Sequence, residues 1–269
     1  MIYTKEFEYI IQNEEKDSFI GLGYPNAKIL IVGKEVATNS ESLDPLEQQN
    51  TISFKNNVLD WKKNIEEKKD PRQISNWIFE RDLKLENVDN NPLFAFKGTI
   101  KKNTSDTWKK YQKLHDIIYH GEIDENNKLE LDFQKDFFIS EMSNYPSPKT
   151  RSAQQIENFK VNLEKRKYSF FKSNFIQQFP IVILACSNYI WNKDNEMQIN
   201  EIFNVQFDSG KRFSRGEYIF SKNNKFWVHY SSDGKKLVIH TRQLSMNVKN
   251  SMLMELGKQI KMHLAKLEY

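Results

Sequence analysis

Cysteine is almost missing from this chain: Cys186 is the only one in 269 residues. A single thiol excludes a disulfide framework, a four-cysteine zinc site and a self-contained iron–sulfur cluster, each of which needs several. Cys186 closes the longest apolar run, Ile181-Val182-Ile183-Leu184-Ala185-Cys186, where a buried, inert thiol is expected. That run is far short of the roughly 20 residues that cross a bilayer, so no membrane span is expected. The opening Met1-Ile2-Tyr3-Thr4-Lys5-Glu6-Phe7-Glu8 lacks the basic-then-apolar order of a secretory signal, which makes the cytoplasm the expected location. Neither a Gly-x-Ser-x-Gly elbow nor a Walker loop occurs, and Gly21-Leu22-Gly23 precedes a strand instead of following one, the wrong context for a dinucleotide fingerprint. No two of His115, His120, His229, His240 and His263 stand at close metal-ligand spacing. No cofactor and no metal are therefore expected.

What the chain does have is bulk. Its 19 Phe, 11 Tyr and 5 Trp supply enough core material to expect a folded protein. The net charge of +4 suits a polyanionic partner, although abundant Lys, Asn and Ile are also what AT-rich coding DNA produces. Neither a repeat nor a low-complexity linker divides the chain, so residues 1–269 are expected to form one domain.

Apolar spacing predicts the elements. Phe7, Ile10 and Ile11, within Thr4 to Lys16, mark an amphipathic helix. Ala27 to Val32, stopped by Gly33, is a strand buried on both faces, and Glu35 to Asn50 is a long polar loop. Helices follow around Phe54 to Lys68 and Asp106 to Tyr119, with residues 89–104 irregular between them. Phe137 to Ile139 is a second strand, running into a loop stopped by Pro146 and Pro148. Residues 152–178 are expected to be one long helix and Ile181 to Ala185 a third strand. Tyr218 to Tyr230 is a hairpin about Asn223-Asn224, Leu237 to Ile239 a fourth strand, and Asn247 to Leu267 a closing helix. This order predicts an α/β fold, three layers α/β/α around a mostly parallel four-stranded sheet.

Three of the strands end in polar loops: Gly33-Lys34-Glu35, Ser140-Glu141-Met142-Ser143-Asn144 and His240-Thr241-Arg242-Gln243-Leu244-Ser245. Open α/β sheets bind ligands outside the carboxyl ends of their strands, so these loops should converge on one crevice. In order and placement they resemble the motifs of the uracil-DNA glycosylase superfamily. His240, Leu244 and Ser245 match its late motif, His-Pro-Ser-Pro-Leu-Ser. Ile29 to Glu35 matches the early motif of apolar strand, Gly, any residue and an acid. Phe137 to Asn144 is more loosely similar to the middle strand and its base-reading loop.

The resemblance implies a uracil-DNA glycosylase-like domain, acting as a monomer on nucleic acid, DNA in preference to RNA. It would hydrolyse the bond between a flipped-out base and its sugar. Glu35 would hold or activate water and His240 would stabilise the leaving oxygen. Gly33, Ser140, Glu141, Asn144 and Phe54 would surround the base, with Tyr24 a further stacking candidate. Arg242, Leu244 and Ser245 would meet the nucleic acid, Arg242 on phosphate and Leu244 as a wedge.

Each of these roles has a plainer alternative. Glu35 reads equally as a solvated loop acid, His240 as a core histidine satisfied by backbone, Leu244 as an ordinary packing residue and Arg242 as an exposed charge. Thr241-Arg242-Gln243 also replaces the prolines that stiffen the family's late loop, and Ser140-Glu141 stands where the family has Asn, so uracil is not required as the base. These departures keep open a second reading, a non-catalytic nucleic-acid or nucleobase binding module on the same fold. An unrelated α/β enzyme of nucleotide metabolism is a third.

Overall fold

The computed structural model describes residues 2–37, 51, 54–71, 106–123, 131–147, 149–193, 195–210, 216–245 and 247–268. In chain order its elements begin with α1 (Lys5–Asn13), β1 (Leu22–Gly23), β2 (Ile29–Gly33), α2 (Asn57–Glu66), α3 (Asp106–His120) and β3 (Phe137–Glu141). Then come α4 (Thr150–Ala153), α5 (Phe159–Ser169), α6 (Asn174–Gln177), β4 (Ile181–Leu184), β5 (Asn192–Lys193), β6 (Glu196–Met197) and α7 (Gln198–Phe203). The last are β7 (Gln206–Phe207), β8 (Glu217–Ser221), β9 (Asn224–Tyr230), β10 (Leu237–Thr241) and α8 (Asn250–Leu267).

Every residue of β2 and β4 is buried, as strands covered on both faces require. Successive side chains of a strand point to opposite faces, and the chain uses this to build two cores. Leu30, Val32, Phe138, Val182, Leu184 and Val238 pack with residues of α1, α2, α5, α6 and α7. Their neighbours Ile29, Ile31, Ile139, Ile181, Ile183 and Ile239 pack with α3 and α8. Helices therefore cover both faces of one sheet.

The sheet order is β1-β3-β2-β4-β10-β9-β7, with β8 also on β9. The four strands expected from sequence are mutually parallel at its centre. The sheet itself is larger and mixed: β1 pairs antiparallel with β3, and β9 pairs antiparallel with β10, β7 and β8. Two-residue strands such as β1 and β7 are too short for a period-two pattern to reveal. The β8–β9 hairpin forms as expected.

The long helix expected over residues 152–178 is three helices. Asn158, at φ 60°, takes a left-handed turn before α5, and the Ser173 hydroxyl accepts a hydrogen bond from the Ile176 amide to start α6. The polar loop expected past residue 37 and the irregular stretch 89–104 lie outside the described residues. Among the described residues no helix is long and apolar enough to cross a membrane.

Candidate functional site

From β2 the chain passes to β3 on one side, then crosses to β4 on the other. The loops after β2 and β4 therefore flank a topological switch point, where such sheets open a ligand crevice. Side chains of the described residues meet at that position. Glu35, 7% exposed, accepts hydrogen bonds from the Tyr189 hydroxyl at 2.6 Å and the Thr150 hydroxyl at 2.5 Å, one on each carboxylate oxygen. Tyr189 ends the short turn Ser187–Tyr189 after β4. Burial, and then the Glu35 carboxylate, hold its pKa far above the ordinary phenol value, so it remains a neutral donor. The Lys34 ammonium lies 5.0 Å from the Tyr189 ring centroid. Glu35 is thus no solvated loop acid; it ties the segment after β2 to Thr150 and to the turn after β4.

Among the described residues, those expected to surround a base meet the main chain of Phe19 and Ile20 and one another. Ser140 Oγ donates to the Ile20 carbonyl at 2.7 Å, and the Phe19 amide donates to Asn144 Oδ1 at 3.2 Å. Phe54 stacks on Phe19 with centroids 5.1 Å apart, and Tyr24 packs against the core that holds α1 and α2. The buried Arg166 completes the knot, its Nη2 donating to the Phe19 carbonyl at 2.5 Å and its Nε to the Glu141 carbonyl at 3.1 Å. Burial lowers its pKa to about 10 against the pull of Glu14 and Glu141, so it stays charged at neutral pH. Nothing in the sequence singles out Arg166, which stands in Glu164-Lys165-Arg166-Lys167 like one of a solvated charge run. The Glu141 carboxylate lies over Gly33, where an added Cβ would come within 2.2 Å of Oε2. Gly33 thus makes room for a neighbouring strand's side chain.

An open cleft lies further along the sheet, at the carboxyl ends of β4 and β10 and beside the β8–β9 hairpin. Its volume, about 470 Å³, falls in the range of roughly 300–1,000 Å³ that small-molecule sites occupy. His240 and Arg242 line it; Glu35 does not. His240 Nε2 stands 2.8 Å from the Ser187 carbonyl. A carbonyl can only accept, so Nε2 carries the hydrogen and Nδ1 is the acceptor of the neutral ring. Burial lowers the pKa of His240, with the Ser187 hydrogen bond opposing. The backbone-satisfied histidine is therefore the geometry observed, though at the edge of a cleft. Ser187 and Tyr189, on the same turn, bind His240 and Glu35 respectively.

Two planar walls are fixed. Trp227 stacks on His240 with centroids 5.5 Å apart and donates Nε1–H to Glu217 at 3.0 Å. Trp191 donates to Glu196 at 3.0 Å, and the fully buried Lys167 places its ammonium 4.8 Å from the Trp191 ring centroid. Lys193, Lys222, Lys225 and Arg242 supply positive charge around these rings, and Arg242 donates to the Asn223 carbonyl at 3.1 Å. These lysines and tryptophans were not legible as a site. The one signal was alternation in β9, which turns Lys225 and Trp227 away from the core side held by Phe226 and Val228.

Leu244 is fully buried among α3 and α8 residues, so it packs in the core and does not project as a wedge. Ser245, half-buried, donates its amide to the Gln243 carbonyl at 3.0 Å. No protein-family model, curated protein or solved structure matches the chain. The reading of the cleft rests on its geometry.

Proposed function

We propose that the protein binds nucleic acid through the cleft at the ends of β4 and β10, seating an unstacked base against Trp191 with flanking phosphates on the surrounding lysines, and that it does so without hydrolysis. The observation that carries this reading is the union, in one cleft, of immobilised aromatic planes with Lys193, Lys222, Lys225 and Arg242. Base stacking on an aromatic side chain is worth roughly 1–3 kcal/mol, and lysines that neutralise phosphate make binding salt-sensitive. The resemblance to uracil-DNA glycosylases suggests the same class of ligand. Their chemistry, however, needs a carboxylate facing the base, and both Glu35 oxygens already accept hydroxyl hydrogen bonds away from the cleft.

The test is anisotropy of a labelled single-stranded DNA over a salt series, with release of free base followed in the same samples. Binding should weaken with salt, and the double variant Lys222→Ala/Lys225→Ala should flatten the log–log slope by about 1.4. Trp191→Ala should weaken binding roughly tenfold. Salt-insensitive binding, or variants that bind like the unaltered protein, would refute the cleft. Base release abolished by Glu35→Ala and by His240→Ala would instead establish the glycosylase.

A further inference from the structure

At the other end of the sheet, beside the start of β3, α3 carries His115, Asp116 and His120 with their ligand atoms all within 4.8 Å of one another. His115 is 4% and Asp116 1% exposed, while His120 is exposed. His115 Nδ1 is buried and makes no hydrogen bond among the described residues; carboxylate oxygens of Asp132 and Asp116 stand 3.7 and 3.9 Å from it. The other ring nitrogen is committed, with Nε2 2.9 Å from Asp136 Oδ2. Donation from Nε2 to a carboxylate leaves the Nδ1 lone pair for a cation, which is how metal-binding histidines are oriented.

The Asp116 carboxylate is held in the same way. Gln112 Nε2 donates at 2.8 Å to both Asp116 Oδ1 and Asp132 Oδ1, and its oxygen accepts from the amides of Asp132 and Phe133.

We propose that His115, Asp116 and His120 bind one divalent transition-metal ion, zinc being the best match to an imidazole–carboxylate donor set. His115 Nδ1, one Asp116 oxygen and one His120 nitrogen supply three ligands, and water completes the fourth position. Bonds of about 2.0–2.2 Å bring tetrahedral donors roughly 3.3 Å apart, and the exposed His120 takes up most of that movement.

Metal-stripped full-length protein is titrated with Zn²⁺ against a chromophoric chelator, and separately with Co²⁺ while its d–d absorption is recorded. One Zn²⁺ per chain and four-coordinate Co²⁺ bands are expected. His120→Ala, at an exposed position that spares the fold, should lower affinity by roughly tenfold or more. Asp136→Asn should lower it about 10- to 100-fold at unchanged stoichiometry, by releasing the His115 ring. Failure to draw Zn²⁺ from the chelator, or a His120→Ala affinity equal to that of the unaltered protein, would overturn the site.

Discussion

Glu35 receives one hydroxyl at each carboxylate oxygen, from Tyr189 and from Thr150. Tyr189 is itself 1% exposed, so water is poorly placed to replace its hydroxyl. Tyr189→Phe is expected to cost about 1–3 kcal/mol, seen as a lower urea midpoint at unchanged slope. An unmoved midpoint would mean that the carboxylate finds another donor. Glu35 and His240 were both legible in the sequence as polar residues at strand ends. Their partners were not, because a hydroxyl and a carbonyl on the turn Ser187–Tyr189 reach them only once β4 lies between β2 and β10. Leu244 shows the same limit: a leucine after a strand is a wedge or a core residue according to whether a helix packs over it, and here α3 and α8 do.

The contact between α3 and α8 sets two effects against each other at Gly257. Helix propensity alone favours alanine there by about 1 kcal/mol. A Cβ, however, would stand 2.5 Å from Ile117 Cγ2 and 3.0 Å from Ile117 Cβ, and a β-branched side chain on a helix has little freedom to turn away. The clash prevails, and Gly257→Ala should destabilise by about 1–3 kcal/mol net. Adding Ile117→Ala should cost less than the sum of the two single changes in a double-mutant cycle; strict additivity would show that the helices part without resistance. The helices α1, α2, α3 and α8 and the inner strands were readable because each carries buried apolar residues at its own period. The break at Asn158 was not, because its left-handed backbone interrupts a stretch whose apolar spacing continues on both sides.

Acid acts on the molecule as a whole through its buried histidines. Burial, aided by nearby His240 and opposed by the Val238 carbonyl, lowers the His229 pKa to about 4. Burial also lowers those of His240 and His263, each against a backbone hydrogen bond. The unfolded chain takes up these protons near pH 6.5 and the folded one only below that, so stability present above about 6.5 is lost as the pH falls toward 4. For His229 alone the loss approaches about 3 kcal/mol. Thermal midpoints recorded between about pH 7 and 4 should fall accordingly, and His229→Gln should flatten the fall; a level profile would contradict the burial of these rings.

At this scale the α/β layering was visible in the sequence, as were His240 and Arg242 at the cleft, whereas the cleft's tryptophans and lysines and the cluster on α3 were not. The cleft is assembled from Trp191, Lys193, Lys222 and Lys225, which share no local pattern. The cluster on α3 pairs Asp116 with His120 one helical turn later, a spacing invisible to a comparison of histidines alone. The central parallel strands are four or five residues long, at about 3.3 Å per residue. The cleft stands at their carboxyl ends and the His115 cluster beside the amino end of β3; strand length alone separates them by roughly 15 Å, and the step across the sheet from β3 to β10 adds to it. That is beyond the Debye length of about 8 Å at physiological salt. A phosphate bound in the proposed cleft would therefore be screened from a cation in the proposed α3 site, and each proposed site could report fold damage caused by a substitution in its counterpart.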